Sequence, residues 1–227
     1  MDSTTTLKNT AFHKTSVGKK VIMSLTGLFL ISFLVVHLSG NLLLLKNDNG
    51  LAFNAYAEFM SHNGIIRTLE IGLLLGFLAH IYYAFILTRG NQNARPINYA
   101  HNRASENSTW FSRNMGITGS ILLIFIILHL YQFFAQTRFG FIGHSQLYST
   151  VREAFMNPIY ALLYIAAMVL MGFHLVHGAH SVFQSLGLKV NVSVGNIIHK
   201  IMVGLAILLT LGYIYLPVHF QIVAMMK

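Results

Sequence analysis

Five long apolar runs constrain this chain more than any other feature of its sequence. Each is about 20 residues or longer, the length that a helix needs to cross a hydrocarbon layer about 30 Å thick. Of the 227 residues, 55% are hydrophobic and only 9% are charged, unlike a soluble domain. The sequence therefore predicts an all-α integral membrane protein, one membrane domain over residues 1–227 with five transmembrane helices. The predicted spans are 21–45, 66–88, 114–136, 157–184 and 198–220.

Capping residues favour helices in these spans. Asn157 followed by Pro158 is typical of an N-cap and the first helical position. Gly90 and Gly187 stand where helices often end. We expect Pro217 to mark the end of the fifth helix, because proline lacks the N–H group that a helix interior uses.

The distribution of basic residues predicts the orientation in the membrane. Ten of the fifteen Lys and Arg residues fall in the N-terminal segment and in the loops after the second and fourth spans. By the positive-inside rule, the N-terminus lies in the cytoplasm and the C-terminus outside. The first span is too long for the apolar part of a signal peptide, so we interpret it as retained. The net charge of +9 reflects this topology and does not indicate nucleic-acid binding.

The loops add three smaller predictions. Both outer loops have amphipathic patterns that are typical of short helices lying at the membrane interface. We expect these helices to cover the outer face. The polar stretch 91–113 is the one sizeable linker. The residues of the two patterns are Phe53, Tyr56, Ala57 and Met60, and then Leu147, Val151 and Phe155.

Among the side chains that commonly bind metals, this chain has many histidines and no cysteine. No cysteine is present, which excludes disulfides, thiolate-bound iron–sulfur clusters and thiolate zinc sites on this chain. Twelve histidines are present. Imidazole both binds metals and titrates near neutral pH, so any redox metal would depend on histidine.

Four histidines lie deep in the apolar runs and fall into two pairs by depth. At 1.5 Å per residue, His37 and His129 lie at one outer level. His80 and His174, on helices that run the other way, lie at one inner level. Two histidines facing each other at one depth supply the two axial ligands of a six-coordinate haem iron. Two such levels predict two b-type haems.

Other interpretations of the histidines remain open. A single histidine in a membrane helix is most simply a polar residue satisfied by a neighbouring helix. A small-metal site would need carboxylates, and the spans have only Glu70, near a helix end. His177 and His180, close to the inner boundary, are candidates for haem propionate or other polar contacts.

Two glycines lie on the same helix faces as deep histidines. Gly40 follows His37 by three residues, and Gly76 precedes His80 by four. We expect them to leave room for a flat ring, although small residues are also common where membrane helices simply pack together.

Four stretches of the sequence resemble a known family. They are "TGLFLISFLVVHLSGN", "LEIGLLLGFLAHIYYA", "ILLIFIILHLYQFF" and "YIAAMVLMGFHLVHGAHSVF". In order and spacing they resemble the single-chain, five-helix, two-haem cytochrome b subunit of succinate dehydrogenases and fumarate reductases. The resemblance covers nearly the whole chain.

The resemblance implies a membrane anchor for a flavoprotein subunit and an iron–sulfur subunit at the cytoplasmic face of a bacterial inner membrane. It implies electron relay between iron–sulfur clusters and a quinone, usually menaquinone, with no dicarboxylate site on this chain. By position, the implied haem ligands are His37, His80, His129 and His174.

Two further points follow from the resemblance. Some relatives carry a glutamate within the fourth helix for proton transfer, and this helix has no acidic residue, which puts that route in doubt here. The family's outer quinone site often uses an acidic residue in the first outer loop or second helix. This makes Glu58, His62 and Glu70 the candidates for handling quinone protons, although each is also explained by an ordinary surface or helix-end role.

Two alternative functions are also compatible with the sequence. The first is the cytochrome b subunit of a formate dehydrogenase or a hydrogenase, which keeps the haems and changes the partner. The second is a non-redox transporter in which the histidines hold helices together. Transporter folds usually have internal repeats or broken helices, and neither is visible in this sequence.

Overall fold

The spanning helices form as expected. A computed structural model describes residues 11–93, 113–187 and 192–226, and these residues contain helices and no strand. Five helices are long and apolar enough to cross a membrane, so the predicted fold class is confirmed. They are Ser16–Leu45, Gly64–Asn93, Met115–Arg138, Pro158–Ser185 and Gly195–Met225. The linker predicted at 91–113 falls mostly outside the described residues.

The individual elements are named in chain order. The main helices are α1 (Ser16–Asn41), α2 (Leu51–His62), α3 (Gly64–Asn93), α4 (Met115–His129), α5 (Leu147–Met156), α6 (Pro158–Ser185) and α7 (Val192–Met225). A 3₁₀ turn, Leu42–Leu45, extends α1, and α4 continues through a π-helical segment, Leu130–Ala135, into Gln136–Arg138.

Helix α6 lies at the centre of the bundle. It packs most extensively on α7 and also contacts α1, α4 and α5. Helix α3 lies at the periphery, with α1 as its main neighbour and with none of its residues buried. Most of the large exposed side chains on the spanning helices are leucine, isoleucine and phenylalanine. In a membrane protein these apolar faces contact lipid.

The two short amphipathic helices form as predicted, and they pack on each other at one end of the bundle. The amide of Asn54 on α2 donates to the carbonyl oxygen of Ser145 at 2.8 Å, and its oxygen accepts from the backbone N–H of Tyr148 at 2.9 Å. Gly50 precedes α2 with φ of +84° and packs directly under the Tyr148 ring. A side chain at Gly50 would be both strained and blocked.

Two predicted helix ends are correct and two are wrong. Asn157 caps α6, accepting from the N–H groups of Ile159 and Tyr160. Gly187 follows α6 with φ of +68°. Gly90, however, lies inside α3, which continues to Asn93.

Pro217 also lies inside its helix, because α7 continues to Met225. Proline at this position removes the hydrogen bond to the carbonyl of Tyr213, four residues earlier. Tertiary contacts hold the helix together there: Pro217 is among the most deeply buried side chains, and the Tyr213 hydroxyl donates to Leu34 on α1 at 2.8 Å.

Candidate functional site

The first pair of deep histidines meets between α1 and α4. The ring centroids of His37 and His129 are 5.8 Å apart, with nearly perpendicular planes. Each ring stacks on an aromatic side chain one turn earlier in its own helix, His37 on Phe33 at 5.2 Å and His129 on Phe125 at 5.9 Å. The outer pair is therefore flanked by an aromatic ring on each of its two helices.

The second pair meets between α3 and α6. The ring centroids of His80 and His174 are 6.3 Å apart. A metal ion bonded at about 2 Å to one nitrogen of each ring would hold two centroids roughly 6 Å apart. The spacing of both pairs fits two ligands on one metal centre.

Two contacts give the separation of the levels. The Nδ1 atom of His80 lies 3.2 Å from Thr26 Oγ1 on α1, and His37 follows Thr26 by eleven residues. The levels are therefore about 16 Å apart along α1. On α6, Tyr164 contacts His129 and precedes His174 by ten residues, which corresponds to about 15 Å. The separations measured along α1 and along α6 therefore agree.

Hydroxyl groups orient one histidine of each pair through Nδ1. Thr26 Oγ1 already donates to backbone carbonyls of its own helix, so it is free to accept from His80 Nδ1. The Tyr164 hydroxyl lies 3.1 Å from His129 Nδ1. When Nδ1 is held in this way, Nε2 is left to bind a metal, the arrangement usual for ligating histidines.

The fourth histidine has an unsatisfied atom. His174 Nδ1 is buried and has no hydrogen-bond partner. An unpaired buried polar atom carries a free-energy penalty unless some group outside the protein chain relieves it. His174 is thus the member of the inner pair whose Nδ1 atom has no hydrogen bond to the described part of the chain.

The helices that carry each pair do not pack closely on one another. The main contacts of α1 are with α3, α6 and α7, whereas α4 packs chiefly on α6, and α3 on α1. The histidines thus meet across gaps between diagonal helices. Within the described ranges, no three His, Asp or Glu side chains are grouped to hold a metal ion. Paired imidazoles in apolar surroundings fit haem, whose porphyrin supplies the remaining ligands.

The glycines beside the histidines differ from those predicted. A Cβ atom added to Gly40 would overlap the Tyr56 ring, and one added to Gly76 would meet Phe29 at 3.0 Å. Both glycines make room for aromatic side chains, so their assignment to ring clearance was wrong. A Cβ atom at Gly27 would lie 3.4 Å from His80 Cε1, and one at Gly119 would lie 4.0 Å from His174 Cε1. Gly27 and Gly119 each lie on a different helix from the histidine that they face, so residue spacing along one helix did not identify them.

A π-helical segment follows directly after His129. It covers Leu130–Ala135, and the ring of Phe133 within it contacts the His129 ring edge to face at 5.5 Å. Short π segments in α-helices are frequent at functional sites. The sequence carries no simple signal for this segment.

The remaining histidines of α6 lie beyond the inner pair. His180 Nδ1 lies 2.7 Å from His199 Nε2 at the start of α7, so His180 has a polar contact within the protein. His177 is one turn nearer to His174. Neither is paired with His80, which contacts His174.

The three candidates for quinone protons lie near α2 and the start of α3. His62 Nδ1 lies 2.9 Å from the Glu58 carbonyl oxygen, and its ring centroid lies 5.7 Å from that of His144 in the second outer loop. Glu70 forms an ion pair with Arg67 at 2.5 Å. The structure thus joins His62 to His144, a neighbour that the sequence analysis missed, and it joins Glu70 to Arg67.

Comparison with protein families decides the identity. A family described as the succinate dehydrogenase/fumarate reductase transmembrane subunit matches residues 91–213, more than half of the chain. The chain belongs to this family. It is thus the membrane subunit of a succinate dehydrogenase or fumarate reductase complex and a multi-pass membrane protein. Searches of curated proteins and of solved structures find no match.

The family match covers one histidine of each pair. Residues 91–213 include His129 and His174, whereas His37 and His80 lie before the matched region. The family resemblance predicted from the sequence is confirmed. Membership in the succinate dehydrogenase/fumarate reductase family also disfavours the formate dehydrogenase, hydrogenase and transporter alternatives.

Proposed function

We propose that this subunit is a dihaem cytochrome b that relays electrons between the iron–sulfur subunit of its complex and a quinone, with menaquinone as the expected species. The observation that carries the proposal is the arrangement of four deep histidines as two facing pairs, 5.8 and 6.3 Å apart between ring centroids. Their two levels are about 15 Å apart.

Each histidine has a defined role in this proposal. His80 and His174 would hold haem iron at the inner level, and His37 and His129 would hold it at the outer level. Bound there, haem would supply a one-electron carrier at each level. The chain provides the ligand spacing, the apolar surroundings that exclude water, and the hydroxyl groups of Thr26 and Tyr164 that orient two imidazoles.

We place the quinone near the outer pair, with its protons handled by side chains of α2 and the start of α3. His62 is the best supported of the three candidates because its Nδ1 is engaged by a backbone carbonyl and its other nitrogen is left to exchange protons. Glu70 has its charge neutralised by Arg67, and Glu58 makes no side-chain hydrogen bond among the described residues. We assign smaller roles in proton handling to Glu70 and Glu58.

The partners and location follow from the same proposal. A flavoprotein subunit and an iron–sulfur subunit would bind at the cytoplasmic side, where the N-terminus and most basic residues are predicted. The membrane would be the cytoplasmic membrane of a bacterium. Dicarboxylate chemistry would take place on the flavoprotein, as the family resemblance implies.

The test is a count of haem per chain. The purified subunit, reduced with dithionite, is expected to give a low-spin b-type spectrum with two haems per polypeptide. His80→Ala and His37→Ala are each expected to leave one haem, and the remaining haem should differ between them. His13→Ala, in the segment before α1 and in neither pair, is the matched control and should retain both haems. A subunit without haem, or one that keeps two haems in His80→Ala, would refute the proposal.

A further inference from the structure

A cavity lies at the N-terminal end of the bundle, away from the histidine pairs. Its volume is about 260 Å³, and it lies between the start of α1 and the second half of α3. Lys19 precedes Thr26, the contact of His80, by seven residues, so the cavity lies about 10 Å from the inner level. The lining residues are His13, Lys14, Lys19, Tyr82, Tyr83 and Ile86.

No acidic side chain among the described residues neutralises the cations of this cavity. Within residues 11–93, 113–187 and 192–226 the one ion pair joins Arg67 to Glu70, at the opposite end of the bundle. Every acidic residue in these ranges lies at that opposite end, in or next to the two outer loops. These residues are Asp48, Glu58, Glu70 and Glu153. Lys14 and Lys19 therefore face a site that attracts an anion.

The other wall of the cavity is suited to the edge of a membrane. Tyr82 and Tyr83 place two phenol rings edge to face, 5.3 Å apart, and tyrosine is enriched where headgroups meet acyl chains. Neither hydroxyl makes a hydrogen bond to the described part of the chain. Ile86, one turn further along α3, adds an apolar surface.

The position of α3 decides what can reach the cavity. This helix has no buried residue and contacts mainly α1, so its outer face lies against lipid. Tyr82 is 59% exposed. The cavity is thus open to the lipid side, with its cationic wall toward the aqueous end and its apolar wall along the membrane.

We propose that this cavity binds the phosphate of an anionic phospholipid. Lys14 and Lys19 pair with the phosphate, the two tyrosine hydroxyls donate to its oxygens or to the glycerol, and Ile86 contacts the start of an acyl chain. Basic pockets between helices at the cytoplasmic edge are suited to such headgroups. Lysine reaches this level by extending its aliphatic stem along the helix.

Binding of phosphatidylglycerol to the full-length subunit in neutral nanodiscs tests the proposal. Lys14→Gln combined with Lys19→Gln is expected to lower the affinity at least about 10-fold, since each basic residue near the surface contributes substantially to lipid attraction. Lys20→Gln combined with Lys46→Gln removes the same charge outside the cavity and should change the affinity less than about 2-fold. Equal losses in the two double variants, or none in either, would overturn the proposal.

A second measurement separates a lipid from free phosphate. Inorganic phosphate, at constant ionic strength, is expected not to displace phosphatidylglycerol. Displacement would assign the cavity to free phosphate and overturn the lipid assignment. His80→Ala should bind phosphatidylglycerol as the unaltered subunit does, so loss of a haem and loss of the lipid are distinguishable.

A second double variant tests the site if the lysine variant misfolds. If the lysine variant loses helix content by circular dichroism, Tyr82→Phe combined with Tyr83→Phe removes the hydroxyl donors and keeps the rings. This variant is expected to weaken phosphatidylglycerol binding several-fold, with Tyr215→Phe as the matched control. Unchanged binding in the tyrosine double variant would count against the proposed site.

Discussion

Thr26 on α1 holds His80 on α3, with 3.2 Å between Thr26 Oγ1 and His80 Nδ1. The same hydroxyl donates to the carbonyl oxygens of Ile22 and Met23 one turn earlier. Its remaining lone pairs are therefore directed to the imidazole. This contact joins the peripheral helix α3 to the rest of the bundle at the level of the inner histidine pair.

The Thr26 contact predicts a positioning role. Thr26→Val keeps the side-chain shape and removes the acceptor, so His80 loses its orientation. Loss of such a partner typically weakens metal binding about 10–100-fold. We expect weaker retention of one haem and a shifted midpoint potential for that haem in redox titration, with the other haem unchanged. Ser39→Ala, whose hydroxyl bonds only to Val35 on its own helix, is the control and should leave both potentials unchanged.

Tyr164 is predicted to act in the same way on the outer pair. Tyr164→Phe removes the hydroxyl 3.1 Å from His129 Nδ1 and keeps the ring that packs on Phe125. We expect Tyr164→Phe to shift the midpoint potential of the outer haem, whereas Thr26→Val shifts that of the inner haem. Tyr215→Phe, on an exposed part of α7, is the control. A shift of the same haem in both variants would contradict the assignment of the two levels.

Gly27 is predicted to protect the space beside His80. Gly27→Leu places a branched side chain where even a Cβ atom would lie 3.4 Å from His80 Cε1. Haem analysis is expected to find one haem per chain instead of two. Gly72→Leu on α3, where nothing lies within 4 Å, is the matched control and should retain two. Retention of both haems in Gly27→Leu would show that this space is not needed.

Gly40 is predicted to affect stability and not haem content. Gly40→Ala places a Cβ atom in steric overlap with the edge of the Tyr56 ring, so α2 must shift or the ring must rotate away. We expect a lower midpoint of thermal unfolding, because overpacking typically costs about 1–3 kcal/mol. Adding Tyr56→Ala is expected to recover part of the loss due to the clash. If Gly40→Ala lowers the midpoint as much in the Tyr56→Ala background as it does in the unaltered subunit, the contact is excluded as the cause.

His62 is predicted to affect quinone turnover with the haems intact. In the assembled complex, His62→Gln is expected to lower quinone-dependent turnover at least about 10-fold and to alter its pH profile, because loss of a general acid or base typically costs more than that. Glu58→Gln should have a much smaller effect. Turnover with an artificial acceptor that bypasses the quinone is the control and should be unchanged in both variants.

The pairing of the histidines was predictable because it depends on one number, the rise per residue of a helix. Depth alone paired His37 with His129 and His80 with His174, and the structure brings the same rings within 6.3 Å. Their role as ligands stays a prediction. The ends of α6 were also predictable, because Asn157 and Gly187 act through local backbone geometry.

Contacts between helices were not predictable in this way. Thr26, Tyr164 and Gly27 lie beside histidines of other helices, and their roles depend on how each helix is rotated about its axis. Pro217 was misplaced because buried contacts keep α7 helical where the backbone alone would favour an end. Gly40 was misassigned because its true neighbour, Tyr56, comes from an outer loop helix.

The diagonal placement of the histidines has a consequence for biosynthesis. The first half of the chain carries His37 on α1 and His80 on α3, and the second half carries His129 on α4 and His174 on α6. Each pair therefore takes one residue from each half. Neither proposed site exists until the ribosome has entered the second half and has reached His129 for the outer pair and His174 for the inner pair. Cofactor insertion at either level would then lock a late helix onto an early one.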